Sequence, residues 1–449
     1  MIVLPNTPPL PLAFTSSPNI NSSLLTARTS LQVDNLNNFN DSIRYVVDLE
    51  NYLQLIVSVS VETIKSQDLN ELVKYASLVE IVKCADVPWT NTVYEHGKRR
   101  EKLNNILNNK PGTNMISWSL LDEIEMVLAS ISLTYIKIGS DLAGEIIEVE
   151  INPQLTEEYN EKWKQVVNFY KTSISYTMFA IQLTEMPSAK QYGSINGFIF
   201  VFLEKIADIC IQMSILSKFN WINRCAESST ITNNNAMLSR VAIYVLNELK
   251  LAKNMISSVS SSNQVNLDYR LWHDYLNIIE KYSRAYAGMF LSIENYNQNK
   301  LGDAIGLIHF SLLCLQSKQG VELSGNSKNF GSKLKSKVLN KTNVHILNNL
   351  NSISTLNINK SAFKSGVILN DLTYLFDQLI ILNLKYTKEN NNLKFDKVID
   401  WKDINQDSKW PLGAKIPVSK INPYTPFKES QQTDHNNNNN KYIGKGAYY

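Results

Sequence analysis

Cysteine is scarce and unpatterned here: Cys84, Cys210, Cys225 and Cys314 stand singly in 449 residues. Disulfide frameworks and thiolate metal sites need tighter, repeated spacing, so these four read as reduced core residues of a cytosolic or nuclear chain. A dominant charge sign is missing too. With 44 basic and 41 acidic residues the formal charge is +3, which gives no concentrated basic face for nucleic acid. Long apolar runs are absent: the strongest, Phe198 to Leu203, meets Glu204, Lys205 and Asp208 at once. A membrane span needs about 20 mostly apolar residues, so none is expected. The opening segment has no basic stretch ahead of its apolar residues and is broken by Pro5, Pro8, Pro9 and Pro11, unlike a signal peptide. Catalytic signatures are missing as well. The five histidines are scattered, and no HExxH, paired CxxC, Walker A loop, GxSxG elbow or GxGxxG occurs. The sequence therefore predicts a non-enzyme without cofactor or metal.

What is present is helical periodicity over an ample core, with 44% hydrophobic and 10% aromatic residues. From Asp41, read as an N-cap, Ile43, Val46, Val47, Leu53, Ile56, Val57 and Ile64 mark one apolar face. Ser119 with Asp122 reads as a capping box opening a helix through Leu121, Ile124, Leu128, Ile131, Tyr135 and Ile138. Further helices are predicted over 157–183, 195–219, 236–256, 267–296, 303–315 and 362–385. The 195–219 segment is apolar nearly all round, with a thin polar stripe at Glu204, Asp208 and Gln212, so it should be central. Residues 282–315 read as a single TPR-like hairpin turning at Gly302, without a regular repeat elsewhere.

Asn391 to Phe427 cannot be helical beyond its first half, because Pro411, Pro417, Pro423 and Pro426 each remove a backbone donor. It still carries Phe395, Val398, Ile399, Trp401, Ile404, Trp410, Ile416 and Val418. An extended strap burying those side chains along the helical body is the expectation. Asp122, Glu123 and Glu125 fall in a first helical turn, where the dipole favours negative charge without catalysis. His309 sits on an apolar face and reads as a core histidine. The lysines at 328, 333, 335, 337 and 341 form a basic loop, read as solvated or as a weak contact with anionic lipid. Tyr424 to Phe427 and Tyr448-Tyr449 are read as inert ends, with a short linear motif as the alternative.

Taken in order, these features resemble the Bro1-domain family. The Ser117-Trp118 pair opening a helix is similar to that family's aromatic-x-Trp entry, although Ile116 replaces the aromatic and Leu121 departs from the usual acid. Phe198 to Asp208 resembles its LxLAQAQE-type helix, with Leu203 matched and Ile206-Ala207-Asp208 in place of the small and acidic residues. Phe395, Val398 and Asp400 occupy the family's exit segment. Ala13-Phe14-Thr15, the apolar run from Glu125 to Ala143, and a tail taken to end soon after the helices, at Gly444 to Tyr449, are most similar to the fungal PalC-type pH-response regulators. The resemblance implies an all-α, boomerang-shaped helical solenoid with a TPR-like core, minor N-terminal β-strands and a C-terminal strap, spanning 1–427, with 428–449 a disordered tail. It implies a non-catalytic adaptor that binds the C-terminal amphipathic helix of an ESCRT-III core subunit in ambient alkaline-pH signalling. A calpain-like protease complex, which cleaves a zinc-finger transcription factor, and weak peripheral membrane contact complete the implied partners. Its implied place is the cytoplasm, with recruitment to endosomal or plasma-membrane foci. A partner helix presents anchors at i, i+3, i+4 and i+7. The candidate receiving residues are Leu121, Ile124 and Leu128 from one helix and Phe198, Val201, Phe202 and Lys205 from another. The alternatives are a general endosomal-sorting adaptor and an unrelated TPR-like scaffold.

Overall fold

Helices carry the architecture in this computed structural model, which describes residues 8–13, 21–33, 36, 38–94, 115–149, 156–225, 234–259, 264–316, 372–404 and 410–427. In chain order they are α1 Ser22–Ser30, α2 Phe39–Ile64, α3 Leu69–Leu78, α4 Leu120–Glu148, α5 Thr156–Thr184 and α6 Pro187–Tyr192. Then follow α7 Phe198–Cys225, α8 Asn235–Val259, α9 Trp272–Asn297, α10 Leu301–Gln316, α11 Leu372–Glu389 and the short α12 Trp401–Ile404. A π-helical turn, Asn390–Lys394, ends α11. The fold is all-α with four short strands, β1 Glu80–Cys84, β2 Thr92–Tyr94, β3 Ile116–Ser119 and β4 Val265–Leu267. β1 pairs antiparallel with β3, and β2 with β4. From α7 onward the long helices pack on their neighbours in sequence, α7 on α8, α8 on α9, α9 on α10 and α10 on α11.

Local chemistry explains most boundaries. Asn38, rather than Asp41, caps α2: its side chain accepts from Asp41 N at 2.8 Å, so Asp41 sits in the first turn, where the dipole favours its charge. The capping box at Ser119 and Asp122 forms as expected. Leu267, read as the start of a helix, instead lies in β4, because Val265, Asn266 and Leu267 pair with β2, and α9 begins at Trp272. α4 is long and apolar enough to cross a membrane by length and composition, although polar residues interrupt its apolar run. It is enclosed by α2, α5 and α7 and buried along nearly its whole length, as a core helix is.

The hairpin read from residues 282–315 forms as α9 and α10. Asn299 adopts φ 61° in the turn, and Ser292 Oγ donates to Ala304 O at 2.7 Å. Its closeness depends on small residues: a Cβ on Gly288 would overlap Ser311 Oγ.

The strap forms, but only part of its apolar inventory is buried. Ile404 joins Leu307, Phe310, Leu313 and Cys314 in a small cluster, with Ile399 and Trp410 packed against it. Ile416 and Val418 pack half-buried on the main core. Phe395 and Val398 point to solvent instead. The reason is backbone docking: the chain at Lys397 and Ile399 lies directly on Gly302 and Gly306 of α10, and that contact turns the side chains of 395 and 398 outward. A Cβ on Gly302 would overlap the Lys397 carbonyl, and one on Gly306 would lie 2.6 Å from Ile399 O. Both clashes are with backbone, which cannot rotate away. Gly306→Ala is expected to cost about 1–3 kcal/mol in urea unfolding, as overpacking does; a loss below about 0.5 kcal/mol would mean the strap floats. The Trp401 side chain, the 328–341 lysines, Phe14, and residues 428–449 lie outside the described residues.

Candidate helix-docking surface

The three carboxylates at the start of α4 have structural roles that differ sharply. Glu123 is fully enclosed, and four donors converge on it. Its Oε1 accepts from Arg28 Nε at 2.6 Å and from Tyr52 Oη at 3.2 Å. Its Oε2 accepts from the indole nitrogens of Trp89 at 3.0 Å and Trp118 at 2.9 Å. Arg28 Nη1 donates to Leu12 O and Nη2 to Pro88 O. This one side chain therefore ties α1, α2, the strand region and α4 together. Asp122 ties in the next layer: Oδ1 accepts from Ser194 N at 2.7 Å, just before α7. Burial pushes the Asp122 carboxyl up, and its bonds from Ser119 and Ser194 oppose the rise. Glu125 is buried with Oε2 unpartnered, and desolvation raises it well above the usual carboxylate range. These groups face protein on every side. No group of three or more metal-ligating side chains occurs among the described residues. His309 is pulled below the usual imidazole range by burial.

By anchoring Ser194, the α4 start fixes where α7 begins. α7 presents an accessible stripe at helical spacing, Phe198, Val201, Lys205 and Asp208, which continues to Gln212, buried beneath the strap. Phe198 is 54% and Val201 39% exposed, side by side on a helix whose other large apolar groups are nearly all buried. The strap occupies the C-terminal half of this stripe. Gln212 exchanges two hydrogen bonds with the Ile416 backbone, at 3.1 and 3.0 Å. Lys415 lies 3.9 Å from Asp208 and over the Tyr244 ring. Farther on, Ser175 and Lys171 of α5 hold Asn422 O and Ser419 Oγ, and Tyr424 stacks on Tyr176 at 4.5 Å. Gly413 runs against the Tyr244 backbone, where a Cβ would come within 2.7 Å.

The N-terminal half of the stripe is open. Its polar rim is set by α8, where Tyr244 Oη donates to Asp208 at 2.7 Å and Glu248 pairs with Lys205. Carried one turn further, that antiparallel register brings the exposed Leu251 opposite Val201. The arrangement is a short apolar furrow between two helices, closed at one end by the strap.

The candidate residues thus separate. Phe198, Val201 and Lys205 share the accessible face of α7. Leu121, Ile124, Leu128 and Phe202 are sealed in the core, where no partner side chain reaches them. α4 is covered on all sides, and Phe202 is enclosed by Tyr269 and Trp272 rings at 5.5 and 5.0 Å. Aliphatic periodicity alone cannot separate a buried face from a receiving one. Lys205 is also not free for a partner acid, since Glu248 already holds it. Leu251 was missed, although one signal existed: it falls off the Leu238, Val241, Val245, Leu249, Ala252 stripe that defines the buried face of α8.

A family model described as a family of unknown function (DUF5355) matches residues 118–449. No curated protein matches the chain. Among solved structures, an ALIX BRO1–CHMP4C complex overlaps 95% of this chain and 97% of its own at 12% identity and a TM-score of 0.49. ALIX with a SIVmac239 late-domain peptide overlaps 90% of this chain and 43% of its own at 12% identity, TM-score 0.49. A structure titled as the basis for endosomal targeting by the Bro1 domain overlaps 87% of this chain and 82% of its own at 11% identity, TM-score 0.42. Overlaps of that quality carry no functional argument, so the role has to come from the furrow itself.

Proposed function

We propose a function from one premise: the chain belongs to the DUF5355 family, whose function is unknown, so its role is read from its own surface. The reading is a non-catalytic adaptor that receives the C-terminal amphipathic helix of an ESCRT-III core subunit in the furrow of Phe198, Val201 and Leu251. The observation that carries it is the exposure of Phe198 and Val201 on the one open face of an otherwise core helix. An amphipathic helix laid there would bury its i, i+3/i+4 anchors on these groups, with an acid competing against Glu248 for Lys205. The choice of an ESCRT-III helix over any other amphipathic helix comes from the sequence resemblance to Bro1 domains. The same resemblance, at its PalC-type end, places the adaptor in ambient alkaline-pH signalling beside a calpain-like protease complex. It takes residues 1–427 as one body, in the cytoplasm and recruited to endosomal or plasma-membrane foci.

The test is titration of the full chain with a peptide of the ESCRT-III C-terminal helix. Val201→Asp and Phe198→Asp sit on the surface and are expected to fold normally. Each should weaken binding by about 2 kcal/mol, roughly thirtyfold, as loss of a central anchor does. Unchanged affinity in both folded variants would remove the furrow from the reading. No binding by the native chain would remove the ESCRT-III partner. Growth of a deletion strain at alkaline pH, set against its cargo sorting, separates pH signalling from general endosomal sorting.

A further inference from the structure

The turn that ends α11 displays two large apolar side chains to solvent, Leu393 at 72% and Phe395 at 75% exposure. Its backbone is fixed in an unusual shape. Phe395 sits at φ 58°, a left-handed conformation bulky side chains rarely adopt, directly after a π-helical turn. Asn390 holds that shape from below. Its Nδ2 donates to Asp396 O at 2.9 Å, its Oδ1 accepts from Asp396 N at 2.8 Å, and its carbonyl accepts from Phe395 N at 2.8 Å. Asp396 in turn accepts from Leu301 N at 3.1 Å, and the following backbone is seated on Gly302. The tip is therefore a pre-formed projection, and its strain persists because the surroundings over-determine it.

Its charge is equally one-sided. Lys388, Lys394 and Lys397 are exposed around the tip and form no ion pair among the described residues. Two of the neighbouring acids are turned inward, Asp396 to Leu301 N and Glu389 to the Tyr296 hydroxyl at 2.7 Å, while Asp400, three residues past Lys397, is exposed. Along α11, Ile381 and Leu384 continue the apolar row, with Lys385 and Lys388 on the same helical face. A protein partner is a poor match, because interface centres are depleted of lysine. An anionic bilayer is a good match: the rings and aliphatic groups enter the acyl boundary while the lysines meet the headgroups.

We propose that this tip is a wedge that inserts into anionic lipid surfaces, with Leu393 and Phe395 entering and Lys388, Lys394 and Lys397 attracting. The site is separate from the α7–α8 furrow and does not depend on that reading. The experiment is co-sedimentation of the full chain with phosphatidylcholine vesicles, with and without phosphatidylserine. The native chain should bind only the phosphatidylserine vesicles, and binding should weaken as salt rises. Two lysine contacts at about a factor of five each predict that Lys394→Gln with Lys397→Gln lowers the partition coefficient roughly thirtyfold. Leu393→Ser with Phe395→Ser should lower it at least about tenfold. Phe395→Gly relieves the left-handed strain while removing the ring, so it should melt no earlier than the native chain and still bind more weakly. The proposal is overturned if the native chain ignores phosphatidylserine, if it binds both vesicles equally, or if the tip variants bind like the native chain.

Discussion

Glu123→Ala is expected to destabilise the protein by about 3–5 kcal/mol, enough to unfold much of a marginally stable chain at physiological temperature. The carboxylate accepts from Arg28, Tyr52, Trp89 and Trp118, all buried. Its removal takes the Glu123 carboxylate away from a buried guanidinium and the acceptor away from two indole N–H groups, and each loss carries a desolvation penalty. Urea unfolding followed by circular dichroism and by tryptophan emission measures it, since both indoles report on this site. The effect should spread to α7, because the start of α4 also fixes Ser194 through Asp122. Glu123→Gln preserves the shape but replaces one acceptor by a donor facing donors, so it should recover only part of the loss. A Glu123→Ala protein within about 1 kcal/mol of native would show that the four bonds do not hold these elements together.

Glu125→Met is expected to act in the opposite direction. The Glu125 carboxyl is buried with Oε2 lacking any partner, and desolvation, aided by the nearby Asp122 charge, raises its folded-state pKa well above the ordinary value. In the unfolded chain the group ionises near pH 4.3. Above that pH the unfolded state releases a proton that the folded state retains, so stability falls as pH rises until the folded-state pKa is passed. Methionine has similar length and no charge. The variant should gain about 2 kcal/mol at pH 8, and the gain should shrink toward pH 4. Paired denaturant titrations across that range measure the difference. A gain that is flat with pH would show that Glu125 ionises in the folded protein as readily as outside it.

Glu123 and Glu125 lie two residues apart on one helix, and from the residue pattern alone they share one meaning. Read as a first-turn acidic cluster, Asp122, Glu123 and Glu125 were assigned to the helix dipole. That reading accounts well for Asp122 at the cap. It could not see that Glu123 meets Arg28 from 95 residues away, or that Glu125 Oε2 is buried without a hydrogen-bond partner. Partners of that kind are joined by topology alone.

Helix content, the Ser119 capping box, the central place of α7 and the pairing of α9 with α10 were legible because they are local; the turn itself falls at Asn299, while Gly302, read as the turn, and Asp303, read as the cap, lie inside α10. Periodicity and a cap residue act within a few residues of where they stand. Which apolar groups stay open was not legible, and this decided the site. Leu128 and Val201 belong to similar aliphatic stripes, yet α4 is enclosed by three neighbouring helices, whereas the N-terminal half of the α7 stripe is left uncovered. Phe395 and Val398 read as strap anchors for the same reason, and backbone contact with two glycines of α10 turned them outward instead. Hydrophobic pattern fixes that a face is apolar; only the packing of elements distant in sequence determines whether that face is filled from within or left for something else.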